Sequence, residues 1–370
     1  MRWPRTLSLY VTREIVAYTL LGLAAISVVM VTRSLVRVLD ELIGAGFLLE
    51  DLLTVVVLLG AILAIYALPV SFLFGVLLAM GRMASDVEIT AMRACGIGMR
   101  GILAPVGLLG LLLSGLTLHL SLDVEPSARR SMSTAVRRML VRGASVEAGR
   151  FSTVGDRTVY VDERVGRRQL RGIMISDRSD PERPFLVFAE GGEMQLDEER
   201  AELRLRLERG DVHIDSRRDD DRHQRVHFER FEYKIDVAAL MGEAPQQRPR
   251  EMPLAELRSV VARLDAGEDP GPLREEPPAY AANLQRRYAM PLAPALFALV
   301  GVPLGMRRQR GARSFGVIVC ALLAFGYYAL HSFCELLVLE SGFPAQLVWL
   351  PNAIYAAVGL ALVVRVRRAS

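Results

Sequence analysis

Lysine is almost missing from this chain. Of 45 basic residues in 370, only Lys234 is a lysine, and it stands between Tyr233 and Ile235. A phosphate-binding loop needs Gly-Lys-Ser/Thr, so this polypeptide contains none, and any ATP-driven work requires hydrolysis by another chain. Cysteine is scarce as well: Cys95, Cys320 and Cys334 all lie outside the segment 123–287. That segment therefore has no disulfide framework and must hold itself with a core, for which about 160 residues suffice. Gly-x-Ser-x-Gly and His-Glu-x-x-His are absent. His223 and His227, four apart on an expected strand and without a third ligand, read as a solvated face, and Asp219 to Asp221 as an acidic hairpin turn. His119 and His331 fall within apolar runs. An ionisable residue there is a functional candidate, with a neutral imidazole bonded between helices as the alternative.

Charge is the next absence. Asp, Glu, Lys and Arg are missing from 15–31, 52–80, 101–122, 288–306, 314–334 and 341–364, although charged residues make up 23% of the chain and mean hydropathy is only +0.28. A bilayer crossing needs roughly 20 residues. The pattern predicts a polytopic α-helical membrane protein of six transmembrane helices, three plus three, around one charged insertion. The arginines set an orientation. Arg2, Arg5 and Arg13, then Arg82, Arg93 and Arg100, then Arg307, Arg308, Arg310 and Arg313, and finally Arg365, Arg367 and Arg368 all fall on one side. Asp40, Glu41, Glu50, Asp51 and Glu340 mark the other. Both termini are expected in the cytoplasm, with 123–287 outside the inner membrane and no cleavable signal.

The insertion reads as all-β. In 201–208, Leu203, Leu205 and Leu207 alternate with Glu202, Arg204, Arg206 and Glu208, giving one dry face and one wet face. Shorter runs at 158–161, 170–176, 185–189, 193–196, 212–214, 226–228 and 231–237 suggest an antiparallel sandwich or jelly roll. An amphipathic helix follows, with Pro253 in its first turn, a stripe of Leu254, Leu257, Val261 and Leu264, and Gly267 at its end. A proline-rich linker, 268–278, leads to the fourth span. The expected domains are 1–122, the β domain 123–287 with its helix and linker, and 288–370. A short echo, GVLLAMGR at 75–82 against GVPLGMRR at 301–308, hints at related halves.

Between the second and third spans lies GRMASDVEITAMRACGIGMRG, 81–101. Ser85 and Glu88 are spaced as a capping box, which predicts a helix from Asp86 to just before Gly96, about 85–95 in all. About ten residues are too few for a helix to stand alone in water. Two readings are open on composition: an interfacial turn with Glu88 occupied in its own cap, or a cytoplasmic peg inserted into a separate ATPase.

The string Val-Glu-Ile-Thr-Ala-Met-Arg-Ala-Cys-Gly at 87–96, preceded by Pro-Val-Ser-Phe-Leu-Phe-Gly at 69–75, resembles the LptF/LptG (YjgP/YjgQ) permeases of the lipopolysaccharide exporter. Thr-Arg-Glu at 12–14, Ser-Leu-Val-Arg-Val-Leu at 34–39, Glu-Ala-Gly-Arg-Phe at 147–151, Leu-Gln-Arg-Arg-Tyr-Ala-Met-Pro-Leu-Ala-Pro at 284–294, Val-Gly-Val-Pro-Leu-Gly at 300–305 and Trp-Leu-Pro-Asn at 349–352 agree in order. The Ala-Cys-Gly ending and the Val-Pro-Leu region look more like LptF than LptG.

The resemblance implies an inner-membrane permease of an ABC transporter, not itself an enzyme and without its own cofactor, ATP and Mg being used by a cytoplasmic LptB-type ATPase dimer. It implies pairing with a paralogous permease, transfer of lipopolysaccharide into periplasmic β-jelly-roll domains continued by LptC and LptA, and no nucleic-acid partner. The family's coupling-helix glutamate falls on Glu88, in a segment that also carries Ser85, Asp86 and Arg93. Its basic residue at the outer end of the first span falls on Arg37. A second basic position is Ser34 here, with Arg33 adjacent. Guanidinium groups at an outer interface suit lipid phosphates, although snorkelling gives the same placement. Arg286 and Arg287 carry the same ambiguity. The rival readings are a non-transporting scaffold that recruits periplasmic partners, and an intramembrane lipid-modifying enzyme using His119, His331 or Glu335.

Overall fold

The computed structural model describes residues 5–42, 49–143, 149, 151–154, 157–165, 169–179, 184–197, 202–215, 223–236, 248–271, 273–306 and 312–368. The chain forms two compact units. One holds 1–36, 56–131 and 247–370; the other holds 37–55 and 132–246.

Helices dominate the first unit, and among the described residues six are long and apolar enough to cross a membrane. They begin with α1 (Arg5–Leu42) and α2 (Leu49–Ser85), followed by the short α3 (Glu88–Ala94) and by α4 (Met99–His119). These helices outrun the uncharged stretches that foretold them. At 1.5 Å per residue, 37 residues of α2 span about 55 Å against a hydrocarbon core of about 30 Å. Pro69 lies inside α2, and the carbonyl of Tyr66, one turn earlier, accepts the Tyr328 hydroxyl at 3.3 Å. The carbonyl that Pro69 itself leaves without a donor is that of Ile65, four residues earlier. Close packing of α1 on α2 depends on Gly75, where a Cβ would lie 2.2 Å from Thr19 Oγ1 and 2.8 Å from the Ile15 carbonyl.

The third span does not stop at 122. A π-helical turn (Leu120–Val124) carries it into α5 (Glu125–Gly143), so the helix passes the expected domain boundary at 123. The amphipathic helix forms as α6 (Leu254–Asp265), ended by Gly267 at φ +71°. Its buried Leu257, Val260 and Val261 pack with Met252 and Tyr280. It thus belongs to the helical unit rather than to the β unit. The fourth span comprises α7 (Pro277–Ala289), a 3-10 turn and α8 (Ala293–Gly305); α9 (Ala312–Ser341) and α10 (Leu350–Arg368) complete the set.

The second unit contains a six-stranded antiparallel sheet in the order β1-β2-β3-β4-β5-β6. The strands are β1 (Phe151–Val154), β2 (Arg157–Val165), β3 (Gln169–Asp177), β4 (Phe185–Asp197), β5 (Glu202–Asp215) and β6 (His223–Asp236). This order is a meander. The antiparallel all-β insertion is as expected, and no Greek-key crossover occurs among the described strands.

The sheet nevertheless encloses a core, because it is creased. Each of the inner strands β2 to β5 breaks its alternation at two consecutive positions, Asp162-Glu163, Arg171-Gly172, Glu190-Gly191 and Glu208-Arg209, and the edge strand β6 has Glu229-Arg230 beside them. The ladder is interrupted at the single row Asp162, Gly172, Glu190, Arg209 and Glu229. Two of these residues are left-handed, Gly172 at φ +61° and Arg209 at φ +48°. Inward parity flips across the row, as at a bulge. Beside it, Gly210 has no room for a Cβ, which would sit 2.0 Å from the Phe188 carbonyl oxygen.

The fold-over is visible at Asp177. Tyr233 of β6 donates to its carboxylate at 2.5 Å, although β3 and β6 are three strands apart, about 14 Å in a flat sheet. Val159, Ile175, Val187, Leu205, Leu207 and Tyr233 share the resulting core. Burial alone would raise the Asp177 carboxyl, but bonds from Ser179, Tyr233 and Arg157 hold it below the ordinary aspartate value.

Candidate functional site

The segment between α2 and α4 is built from its two ends inward. Ser85 does not cap a helix: it is the last residue of α2, and its hydroxyl donates to the Gly81 carbonyl at 2.9 Å. The chain then turns through Val87, which adopts φ 63°, ψ 6°, and α3 starts at Glu88 rather than Asp86. No side chain caps α3. The expected capping box is therefore absent, because α2 continues through the residue that would have served as its cap.

The other end follows expectation. Gly96 at φ +81° ends α3, with Ile97 N–H donating to the Met92 carbonyl at 3.0 Å and Gly96 N–H to the Arg93 carbonyl at 2.9 Å. That is the Schellman pattern, with glycine in the left-handed position.

Seven residues do not hold themselves helical. Ile89 and Met92 anchor α3 by burial in a cluster with Val11, Ile15, Met99 and Ile102. Its opposite face, with Val87, Thr90, Ala91 and Ala94, is exposed. Ser85, Asp86 and Arg93 are exposed too, and Asp86 and Arg93 make no ion pair among the described residues. Glu88 is half-buried. Its carboxylate accepts the Tyr10 hydroxyl, with oxygens at 3.0 and 3.2 Å. Tyr10 in turn accepts from Arg82 Nη2 at 3.0 Å, and Arg82 lies 3.0 Å from Glu14. Tyr10, Arg82 and Glu14 were not foreseen as neighbours of Glu88. The available signal was that Tyr10 and Glu14 are four apart on one helix, within the stretch that includes Thr-Arg-Glu.

The expected phosphate pair is placed only in part. Arg33 is exposed on α1. Arg37 is also on α1, but its side chain lies outside the described residues, as do the Asp219 to Asp221 run and the His223 side chain. Arg33 and Glu88 are not brought together.

Arg286 and Arg287 are not helix-end anchors: they are 4% and 2% exposed. Arg286 donates to the Tyr66 hydroxyl at 2.7 Å and to Glu125 at 3.2 Å, and Arg129 also donates to Glu125, at 2.8 Å. Arg287 donates to Asn283 and to the carbonyls of Pro249 and Met252. Glu125 escaped the sequence reading because it falls at the start of the charged segment.

Of the residues of the enzymatic reading, His331 and Glu335 lie one turn apart on α9, and each of the three has its own contact. His119 pairs with Asp123 at 3.0 Å in an exposed position, Glu335 pairs with Arg250 at 3.0 Å, and His331 stacks on Tyr327 with its centroid at 6.3 Å. His227 bonds Asp211 at 3.1 Å, and Arg225 and His227 together hold that half-buried carboxyl down to about 2.

Six apolar spans, a β insertion after the third and a short helix between the second and third define a polytopic helical membrane protein with an inserted antiparallel sheet. The family model "Lipopolysaccharide export system permease LptF/LptG" matches residues 9–365, and the chain belongs to that family. It is thus a permease of the lipopolysaccharide export ABC system and not itself catalytic. No curated protein matches the chain.

Proposed function

We propose that this permease couples lipopolysaccharide extraction to a separate cytoplasmic ATPase dimer of the LptB type through α3. The observation that carries the reading is the two-sidedness of α3: Ile89 and Met92 are locked into the bundle while Val87, Thr90, Ala91 and Ala94 face outward. Small residues on an exposed, anchored helix suit insertion into a groove. Glu88, with Asp86, Ser85 and Arg93 beside it, supplies charge for a basic residue of the ATPase. The arginine distribution favours both termini and α3 in the cytoplasm and the β unit in the periplasm of the inner membrane.

The same reading assigns a paralogous permease as partner, this chain being the LptF-like one on its Ala-Cys-Gly and Val-Pro-Leu stretches. LptC and LptA-type proteins receive the lipid from the β unit. The β1 and β6 edges of a meander suit strand addition to such partners. Arg37, with Arg33, is assigned to the lipid phosphates at the outer end of α1.

Glu88→Gln tests the coupling role, since it keeps size and removes charge. Retention of the ATPase on the purified permease should fall by about 1.5–3 kcal/mol, the range for a hydrogen bond to a charged group. Full retention and full transport by the Gln variant would remove the ion pair from the account.

A further inference from the structure

We propose that Tyr10 is the positioning residue by which the first span fixes the coupling helix and aims Glu88 outward. The inference rests on the coupling role of α3 and adds what holds that helix in register.

The need for such a residue follows from α3 itself. It has seven residues, no side-chain cap and a β-branched residue at φ 63° immediately before it. A β-branched side chain in that region is strained. Burial of Ile89 and Met92 sets the depth of α3. The only side-chain hydrogen bond from α3 to another helix, among the described residues, is the one Glu88 receives from Tyr10.

The direction of that bond is determined. Arg82 has only donors, so the Tyr10 oxygen must accept from it, and the single hydroxyl proton is left for the carboxylate of Glu88. One proton shared between two oxygens, at 3.0 and 3.2 Å, occupies little of a carboxylate's four lone-pair sites. Glu88 is thereby oriented without being neutralised. Charge points the same way: Glu14 and Glu88 face one guanidinium, Arg82, and Arg82 lies within ion-pair distance of Glu14. Among the described residues one carboxylate is left without its own ion pair, which is what an external cation requires.

Tyr10 also links this carboxylate to the far end of α1. Arg33 lies 23 residues along the same helix, about 35 Å at 1.5 Å per residue. Any rotation of α1 at the end carrying Arg33 moves the hydroxyl that holds Glu88.

Cys95, exposed at the end of α3, provides a probe, since Cys320 and Cys334 are buried. The full chain, in lipid nanodiscs without ATPase, is labelled at Cys95 with a nitroxide. Tyr10→Phe should increase label mobility, and with ATPase present it should weaken retention about two- to tenfold, as expected when one side chain must be ordered on binding. In a Glu88→Ala background, which removes the acceptor, the same substitution should cost less than about twofold, since the contact it breaks is already gone. An unchanged label together with unchanged retention overturns the proposal. An equal loss in both backgrounds also overturns it, because Tyr10 then acts by another route. If Tyr10→Phe loosens the label while Glu88→Gln leaves retention intact, Tyr10 does position α3 and the coupling role of Glu88 is what fails. Should Phe unfold the bundle, seen as labelling of Cys320 and Cys334, Glu88→Ala breaks the same contact from the other side. It must then loosen the label, and failure to do so overturns the proposal.

Discussion

Two polar clusters in the helical unit use the same chemistry to opposite ends. At one, Glu125 is gripped by Arg286 and Arg129, and Arg286 also bonds Tyr66; Glu125 and Arg286 are 3% and 4% exposed. At the other, Glu88 receives one hydroxyl from Tyr10, which is 40% exposed, and Arg82 is drawn toward Glu14. Tyr66 and Arg82 are 16 residues apart on α2, about 24 Å along it. The first cluster is closed, with both side chains of its ion pair away from solvent. The second is open and, among the described residues, carries a carboxylate in excess. Burial makes the first a structural joint between the third and fourth spans. Exposure leaves the second available to a partner.

The contrast is broken most severely at the closed cluster. Glu125→Ala leaves Arg286 buried with its charge uncompensated, which costs about 3–5 kcal/mol. The variant should accumulate poorly and melt far below wild type in detergent. The double variant Glu125→Gln with Arg286→Met should recover much of that loss, and a double variant as unstable as the single would show that the pair is not the cause.

The β unit offers an intermediate case, a buried carboxylate with a built-in pH response. Asp177→Ala removes an anion that accepts from Arg157, Ser179 and Tyr233, at a cost of about 1.5–3 kcal/mol. Because the folded carboxyl titrates below its ordinary value of 3.8, its contribution is fully present above that pH. It is lost as pH falls through the depressed value. Acid unfolding of wild type should therefore be steeper than that of Asp177→Ala, as followed by β-sheet circular dichroism.

Next in size comes the crease. Gly210→Ala presses a methyl onto the Phe188 carbonyl and should cost about 1–3 kcal/mol. The smallest effect belongs to Asp211, whose partners are exposed. Despite its low carboxyl value, Asp211→Asn should leave the melting temperature unchanged, since the Arg225 and His227 partners are themselves solvated.

What could be read in advance followed the range of the interaction. The six spans were legible because each is a continuous property of neighbouring residues. The sequence shows eight short runs, which make up five of the six described strands: the crease at Glu190, Arg209 and Glu229 splits β4, β5 and β6 in two each, and β1 matches no run. The runs 185–189 and 193–196 are one strand, β4, and 201–208 and 212–214 fall on another, β5. Ser85 and Glu88 matched a local capping signature, yet the prior helix claimed Ser85 first. The bond from Tyr10 to Glu88 joins residues 78 apart, and the one from Arg286 to Glu125 joins residues 161 apart. Nothing local marks either.

The central claim is that the exposed face of α3 docks on a separate ATPase. Photo-crosslinking residues placed singly at Val87, Thr90, Ala91 and Ala94 in the assembled exporter test it most directly. The account predicts that all four capture one cytoplasmic ATPase chain, with yields that rise and fall with nucleotide. Capture of lipid alone from these positions, or of no protein at all, would contradict it.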